Sequence, residues 1–244
     1  KQREDERRWV LNNKSGFVIR FPPKLSGDRD SFCRDETVCI GTEVNINPLA
    51  AEELLELCAD AALDGVSLVA VEISTGEVAA VAFNKLQVSQ KPFFEVFAEE
   101  RCTQPSSRAL IEFMADVDGR CNFFDNLEIM FLATLQKHRY KKLATLLCQA
   151  SIDLAKKLKD GPIATITVSD LGPKYSSMKP RAAVSKIPKI CQALWTSEGT
   201  QKIGKALDFT VHLRVSFEEF VYLVKTYVER LGRHEFCEAV AKEL

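Results

Sequence analysis

Residues 127–158 read LEIMFLATLQKHRYKKLATLLCQASIDLAKKL. Leu127 to Leu135 is an apolar run of β type. It enters a basic turn, Gln136-Lys137-His138-Arg139-Tyr140-Lys141-Lys142. From Lys141 to Leu158 the spacing of Leu143, Leu147, Ala150, Leu154 and Leu158 makes one apolar helical stripe. A strand that turns directly into a helix leaves free backbone N–H groups and the positive end of the helix dipole at the turn. That arrangement suits a phosphorylated ligand. The turn also gathers Lys137, His138, Arg139, Lys141 and Lys142. Lysines in the first turn oppose the helix dipole, so an anion is expected among them.

The flanking sequence sets this unit in a larger sheet. Residues 17–22, FVIRFP, read as a short strand ended by Pro22-Pro23. A helix is expected over Asp30 to Val44. A second starts at Asn47-Pro48, buries Leu54, Leu55, Leu57, Cys58 and Ala61, and ends at Asp64-Gly65. Val66 to Ile73 and Glu77 to Asn84 are strands, and the Ser74-Thr75-Gly76 turn between them makes an antiparallel hairpin. Lys85 to Ser107 reads as loop-rich, Ala109 to Ala115 as part of a helix. The segment 159–188 carries Gly161-Pro162, Gly172-Pro173 and Pro180 and reads as a loop-rich insertion, with Ile163 to Val168 as a candidate extra strand. Lys189 to Thr196 is a strand, Thr200 to Leu207 a short helix and Phe209 to Val215 a strand. Phe217 to Leu231 has Phe217, Phe220, Val221, Val224 and Val228 at helical spacing. Strands interleaved with helices and local hairpins imply an α/β or α+β domain with a central twisted mixed sheet, flanked by helices, and a C-terminal helical extension. The expected division is a charged N-terminal extension, 1–16, and one domain, 17–244.

Composition narrows the function classes. The chain has 244 residues, 46% hydrophobic and 27% charged, the balance of a globular protein. A formal net charge of −1 argues against a general nucleic-acid binder, which carries a basic excess. No apolar run is long enough to span a bilayer, and Lys1 to Arg8 does not read as a signal peptide. Eight cysteines form no CxxC pair, and no histidine stands at metal-ligand spacing from one. Buried free thiols of a cytoplasmic protein account for them, and no metal is expected. Phe93, Phe94 and Phe97 are expected to anchor the core rather than line a pocket.

The order of elements resembles the GNAT superfamily of acyl-CoA N-acyltransferases, and within it the insect arylalkylamine N-acetyltransferases. The resemblance runs from about residue 17 to 220. It rests on Phe32-Cys33-Arg34-Asp35-Glu36, similar to an F-x-x-D-E segment. It rests also on Asp64 to Val71 with the Ser74-Thr75-Gly76-Glu77 turn, on Arg139 to Ala144 at the Q/R-x-x-G-x-G/A cofactor loop, and on Trp195 to Phe209. Tyr140 and Lys142 stand where that family has glycines in the loop, and Asp208 replaces the glycine of Leu-Gly-Phe. Thr37 replaces a proline, and Gly199-Thr200 a Tyr-Ser pair.

The resemblance implies transfer of an acetyl or longer acyl group from acyl-CoA to the primary amine of a small arylalkylamine or polyamine-like substrate, by direct attack. Acetyl-CoA is the implied co-substrate. Its phosphates fall to Arg139, Tyr140, Lys141, Lys142, Leu143 and Ala144, and its pantetheine arm to the backbone of Leu132, Ala133 and Thr134. Glu36 is the implied general base. An alkylammonium with a pKa near that of lysine, about 10.4, must lose a proton before attack. A hydroxyl, of Thr200 or Ser197, would serve the leaving thiolate. Capping of the following helix is the other role open to Ser197. A monomer is expected, with no nucleic-acid or membrane partner. The alternative reading is a non-catalytic protein of the same fold that binds a ligand or protein through a changed loop.

Overall fold

A computed structural model describes residues 8–9, 16–20, 30–87, 93–121, 123–161, 166–181 and 187–244. The elements in chain order are β1 (Arg8–Trp9), β2 (Phe17–Arg20), α1 (Asp30–Asp35), α2 (Thr37–Gly41), α3 (Pro48–Ala62), β3 (Leu68–Glu72) and β4 (Val78–Gln87). They continue with α4 (Phe93–Arg101), α5 (Pro105–Cys121), β5 (Asn126–Thr134), α6 (Leu143–Lys157), β6 (Ile190–Trp195), α7 (Glu198–Ala206) and β7 (Thr210–Ser216). The chain closes with β8 (Val221–Tyr222), β9 (Lys225–Thr226), α8 (Tyr227–Leu231) and β10 (Phe236–Glu243).

Eight strands form one mixed sheet in the order β1-β2-β3-β4-β5-β6-β10-β7. Every neighbouring pair is antiparallel except β5 and β6, which run parallel. Apolar residues fill both faces. On one face α6 lays Leu143, Leu147, Ala150 and Leu154 onto Leu127, Ile129 and Cys191. On the other, α3, α5 and the short helices bury Leu54, Leu57, Ile111, Phe113 and Met114 against Met130 and Phe131. The stripe predicted for α6 is thus its core face. All eight cysteines are free thiols, and Cys121 alone of them is not fully buried. Phe94 and Phe97 are core residues as expected.

Several elements depart from the sequence expectation. The helix over Asp30 to Val44 is two short helices broken at Glu36, whose extended backbone and side chain cap α2. The stretch after Lys85 is not mainly loop: β4 runs to Gln87, α4 follows, and α5 begins at Pro105. Helix α6 starts at Leu143 rather than Lys141. Pro22-Pro23 and residues 163–165 lie outside the described residues. Ile166 and Thr167 are not in a strand, and Val168 opens a 3-10 turn.

The expected C-terminal helical extension is replaced by mainly extended structure. Phe217–Glu219 is a single 3-10 turn, β8 and β9 form a two-stranded hairpin, and only α8 is helical. Strand β10 then inserts between β6 and β7. Phe217, Phe220 and Tyr227 all converge on Phe113, with ring centroids 4.7–5.8 Å away, while Val221 and Val224 of the expected helical face are exposed. That aromatic contact outweighs the local period.

The loop-rich segment 159–188 packs away from the sheet's cleft. Leu171, Tyr175 and Met178 sit on Ala59, Ala62 and Leu63 of α3. Arg181 bridges Asp60 and Asp64. One polar group is set deep in the core: Lys85 Nζ lies 2.9 Å from Glu128 and stacks over Phe94, with both ionic side chains almost wholly buried. Neighbouring Asp118 accepts a hydrogen bond from Gln192 at 3.0 Å. Burial, with Glu128 adding, pushes its carboxyl up to about 6.

Candidate active site

Strands β5 and β6 pair only from Asn126–Ile190 to Ile129–Ala193, after which they part. Met130 lies at a register shift opposite Phe83 and Asn84 of β4. A bulge there bends the strand and re-aims its end. Leu132, Ala133 and Thr134 stay paired to β4, so their other edge faces the opening. The opening is a cleft of about 560 Å³. Its lining includes Phe32, Leu110, Phe113, Met114 and Phe131, together with Glu36, Thr196, Ser197 and Thr200. No described residue of 159–188 lines it.

Glu36 is held by both oxygens. The Cys39 backbone N–H donates to Oε2 at 2.7 Å, and the Thr196 hydroxyl donates to Oε1 at 2.9 Å. The group lines the cleft wall yet is enclosed by protein. Burial raises its carboxyl above the ordinary range, and the hydrogen bonds from Cys39 and Thr196 act against that rise. A carboxylate tuned upward, at a cleft wall, is suited to taking a proton.

The basic turn forms the mouth beside β5. His138 is buried and uses both ring nitrogens: Nε2 is 3.1 Å from Glu77, and Nδ1 is 3.1 Å from the Lys141 ammonium. Lysine can only donate, so Nδ1 is the acceptor and Nε2 carries the proton toward Glu77. Lys137 pairs with the same Glu77 at 2.7 Å, and Lys141 stacks 5.2 Å over Phe17. Arg139 is ion-paired with Asp35. The two segments singled out in the sequence, 32–36 and 139–144, therefore touch.

Tyr140 and Lys142 both have left-handed backbone, with φ of 65° and 60°, and Asp208 has φ of 57°. These are the three places where the resemblance leads one to expect glycine. Lys142 precedes α6 as its N-cap with no side-chain hydrogen bond. The first main-chain bond of α6 runs from Leu146 N–H to Lys142. The amides of Leu143, Ala144 and Thr145 thus point out of the helix start without an intrahelical acceptor. Left-handed residues followed by free amides form an anion-binding concavity. The residues present fit a diphosphate.

Ser197 caps α7. Its hydroxyl accepts from the Thr200 N–H at 3.3 Å and lies 3.1 Å from the Thr200 hydroxyl. Thr200 in turn donates to the Ser197 carbonyl at 2.9 Å. Both hydroxyls line the cleft while forming this capping box. Helix α7 packs closely on Trp195 because residue 204 is glycine: a Cβ there would lie 2.4 Å from the indole nitrogen.

Sequence reasoning missed three cleft residues. Thr196 was read only as the end of a strand. Arg233 and His234 carry no local pattern; they reach the cleft because β10 returns beside β6. Glu72, Glu77 and His138 bring their carboxylate and imidazole atoms within 4.8 Å of one another. Two lysines already occupy that neighbourhood, so its chemistry is that of an ion-pair network rather than a metal centre.

No family model matches the chain, and no curated protein matches it in sequence. Solved structures do. Arylalkylamine N-acetyltransferase 2 from Aedes aegypti superposes with a TM-score of 0.64 at 16% identity, covering 88% of this chain and 90% of that one. A mosquito arylalkylamine N-acetyltransferase-like protein, 5b, gives 0.54 at 18%, covering 74% and 75%. The Drosophila melanogaster polyamine N-acetyltransferase that forms N-acetylagmatine gives 0.53 at 12%, covering 74% and 75%. The parted parallel strands, the bulge and the flanking helices are therefore the GNAT fold, in the form seen in insect arylalkylamine and polyamine N-acetyltransferases.

Proposed function

We propose that the protein is an acyl-CoA-dependent N-acyltransferase that acetylates the primary amine of a small molecule carrying an aromatic or apolar group. The observation that carries this reading is the single cleft that joins three things. These are the start of the left-handed turn, at Arg139 and Tyr140, the free edge of β5, and the enclosed carboxylate of Glu36. The fold-level likeness to N-acetyltransferases agrees with it.

In this reading the amides of residues 143–145, with Lys141 and Lys142, hold the diphosphate of acetyl-CoA. Backbone of Leu132, Ala133 and Thr134 pairs with the pantetheine arm. Tyr140 is fully exposed at the mouth, where its ring can cover the cofactor. Arg139 serves less as a phosphate ligand than as a strut, because Asp35 already pairs with it.

Glu36 accepts a proton from the ammonium of the acceptor, directly or through water. The freed nitrogen attacks the thioester carbonyl carbon, and a backbone N–H at the end of β5 stabilises the oxyanion. The C–N bond forms, the C–S bond breaks, and the thiolate takes a proton. Ser197 and Thr200 share that last role. The Thr200 proton is directed at a carbonyl, so the hydroxyl with a proton to turn outward is Ser197. Both reactants are held together, and proximity supplies much of the rate. Phe32, Phe113 and Phe131 give the acceptor an aromatic wall. The same enclosure favours a small-molecule acceptor over a partner-binding relative.

The test is calorimetry with acetyl-CoA, followed by turnover on a panel of aromatic amines and polyamines. Micromolar binding with turnover that falls in Glu36→Gln is expected. Binding without turnover on any amine would favour the non-catalytic alternative, and no binding at all would reject both site assignments.

A further inference from the structure

The end of the cleft remote from the basic turn gathers three nitrogen side chains, Arg233, His234 and Lys202. Arg233 and His234 lie in the connection from α8 to β10 and line the cleft, as does Lys202 of α7. The Arg233 Nε–H donates to His234 Nε2 at 3.2 Å. Arginine only donates, so Nε2 must carry the lone pair and Nδ1 the proton. That Nδ1 atom is buried and has no hydrogen-bond partner among the described residues. Arg233 has no acid partner among the described residues either. Burial and Arg233 both lower the His234 pKa, which keeps the ring neutral in this tautomer. Glu198 is the nearby acid. It lies 3.9 Å from Lys202, is mostly exposed, and its charge acts on His234 against the lowering by burial and Arg233.

The register of β10 fixes where this corner stands. Glu238 pairs with Trp195, and the Gln201 side chain donates to the Phe236 carbonyl at 3.0 Å. Residues 233–236 therefore pass beside Ser197 and Glu198, next in the chain to Thr196, which holds Glu36. The diphosphate turn is at the other side of the opening, beyond β5. We propose that Arg233 and His234 form a carboxylate subsite for the acyl acceptor, so the preferred acceptor is a zwitterionic amine of the amino-acid class rather than a simple arylalkylamine. The exposed, planar guanidinium fork of Arg233 matches a carboxylate, and His234 orients the fork by accepting from its Nε–H. An α-amino group on such a ligand would be carried toward Glu36. This rests on the proposed acyltransferase reading for turnover, though not for binding.

The experiment compares matched pairs that differ only in the carboxylate: phenylalanine with phenethylamine, tyrosine with tyramine, lysine with cadaverine. Affinity is read by calorimetry and by the fluorescence of Trp195, which lines the cleft. At least one carboxylated member should bind more tightly than its partner. In Arg233→Gln that affinity ratio should fall about 10–100-fold, the range for a charged hydrogen bond. In His234→Phe it should fall about tenfold. Arg233 is exposed, so its replacement leaves the core intact. The proposal is overturned if no carboxylated member binds better, or if Arg233→Gln leaves the ratio unchanged. It is also overturned if Arg233→Gln weakens CoA while sparing 3′-dephospho-CoA, which would assign the corner to the cofactor's phosphate. Carboxylate-dependent binding with no acetylation of any amine would instead reject the acyltransferase reading and keep the subsite.

Discussion

Replacing Tyr140 and Lys142 together by glycine tests whether the cofactor turn holds its shape against its own residues. At φ of 65° and 60° a side chain crowds the following carbonyl, which costs about 1–2 kcal/mol per residue. Glycine removes that cost but loses about 0.5–1 kcal/mol to the freedom of the unfolded chain. The net gain is on the order of 0.5–1 kcal/mol per site. Removing the Lys142 ammonium from the start of α6 adds about 0.3–1 kcal/mol, because a cation there opposes the helix dipole. For a chain of this size each kcal/mol moves Tm by about 2–4 °C, so the double variant should melt about 3–12 °C higher.

The same variant separates backbone from charge in ligand binding. The glycines keep the amides of residues 143–145 in place and delete one cation. Affinity for CoA should then depend less on salt than in the parent protein, whose exposed lysine is screened over about 8–10 Å at physiological ionic strength. The assays are thermal unfolding and calorimetry with CoA at low and high salt. A lower Tm would refute the reasoning, since it would mean that the turn is not left-handed at these residues. CoA binding that appears only in the double-glycine form would mean that the side chains block the site, which favours a non-catalytic protein.

Three further outcomes are expected. Glu36→Gln keeps the cap on α2 and should lower kcat/KM by about 10²–10⁴-fold. In the parent protein activity should rise with pH through the raised Glu36 value, since the base works ionised, and that limb should vanish in the variant. Thr196→Val removes a hydrogen bond that favours the ionised form, so the limb should move to higher pH with the fold unchanged. Asp118 has a raised folded value near 6, so its favourable contribution is full below the ordinary carboxylate range and is lost as pH rises through about 6. Asp118→Asn should therefore match the parent in acid and exceed it above pH 6 by at most about 3 kcal/mol in denaturant unfolding.

The parts legible in the sequence were those where local period and burial agree. The β3–β4 hairpin, β5, α6 and β6 each bury a face that their own spacing marks out. The C-terminal part fails this condition. Strand β10 contains Glu238, Ala239, Ala241 and Lys242, residues that favour helix in isolation. It is a strand because β6 and β7 both offer it hydrogen bonds and because Arg214 neutralises Glu238. Neither partner is close in sequence. For the site, Glu36 was visible as part of a segment, whereas its orientation depends on Thr196, 160 residues away. His234 was one of three scattered histidines until β10 brought it to the cleft.

The replaced glycines bear on function more than the overall likeness does. A turn that had lost its ligand would be free to relax Tyr140 and Lys142 into right-handed or extended backbone, where neither is crowded. Both instead remain left-handed, as does Asp208 after α7, whose short polar side chain tolerates that region better. The turn is over-determined from outside. Glu77 grips Lys137 and His138, His138 grips Lys141, and Asp35 grips Arg139. Backbone strain held by surrounding contacts recurs at functional sites, although Leu223 and Val224 of the β8–β9 turn are also left-handed. These contacts come from the β3–β4 turn on one side and the Glu36 segment on the other. The basic turn and the candidate base are therefore one mechanical unit. Breaking the Arg139–Asp35 link should disturb both cofactor affinity and the pH limb of Glu36, whereas a turn that merely joins β5 to α6 would transmit neither effect.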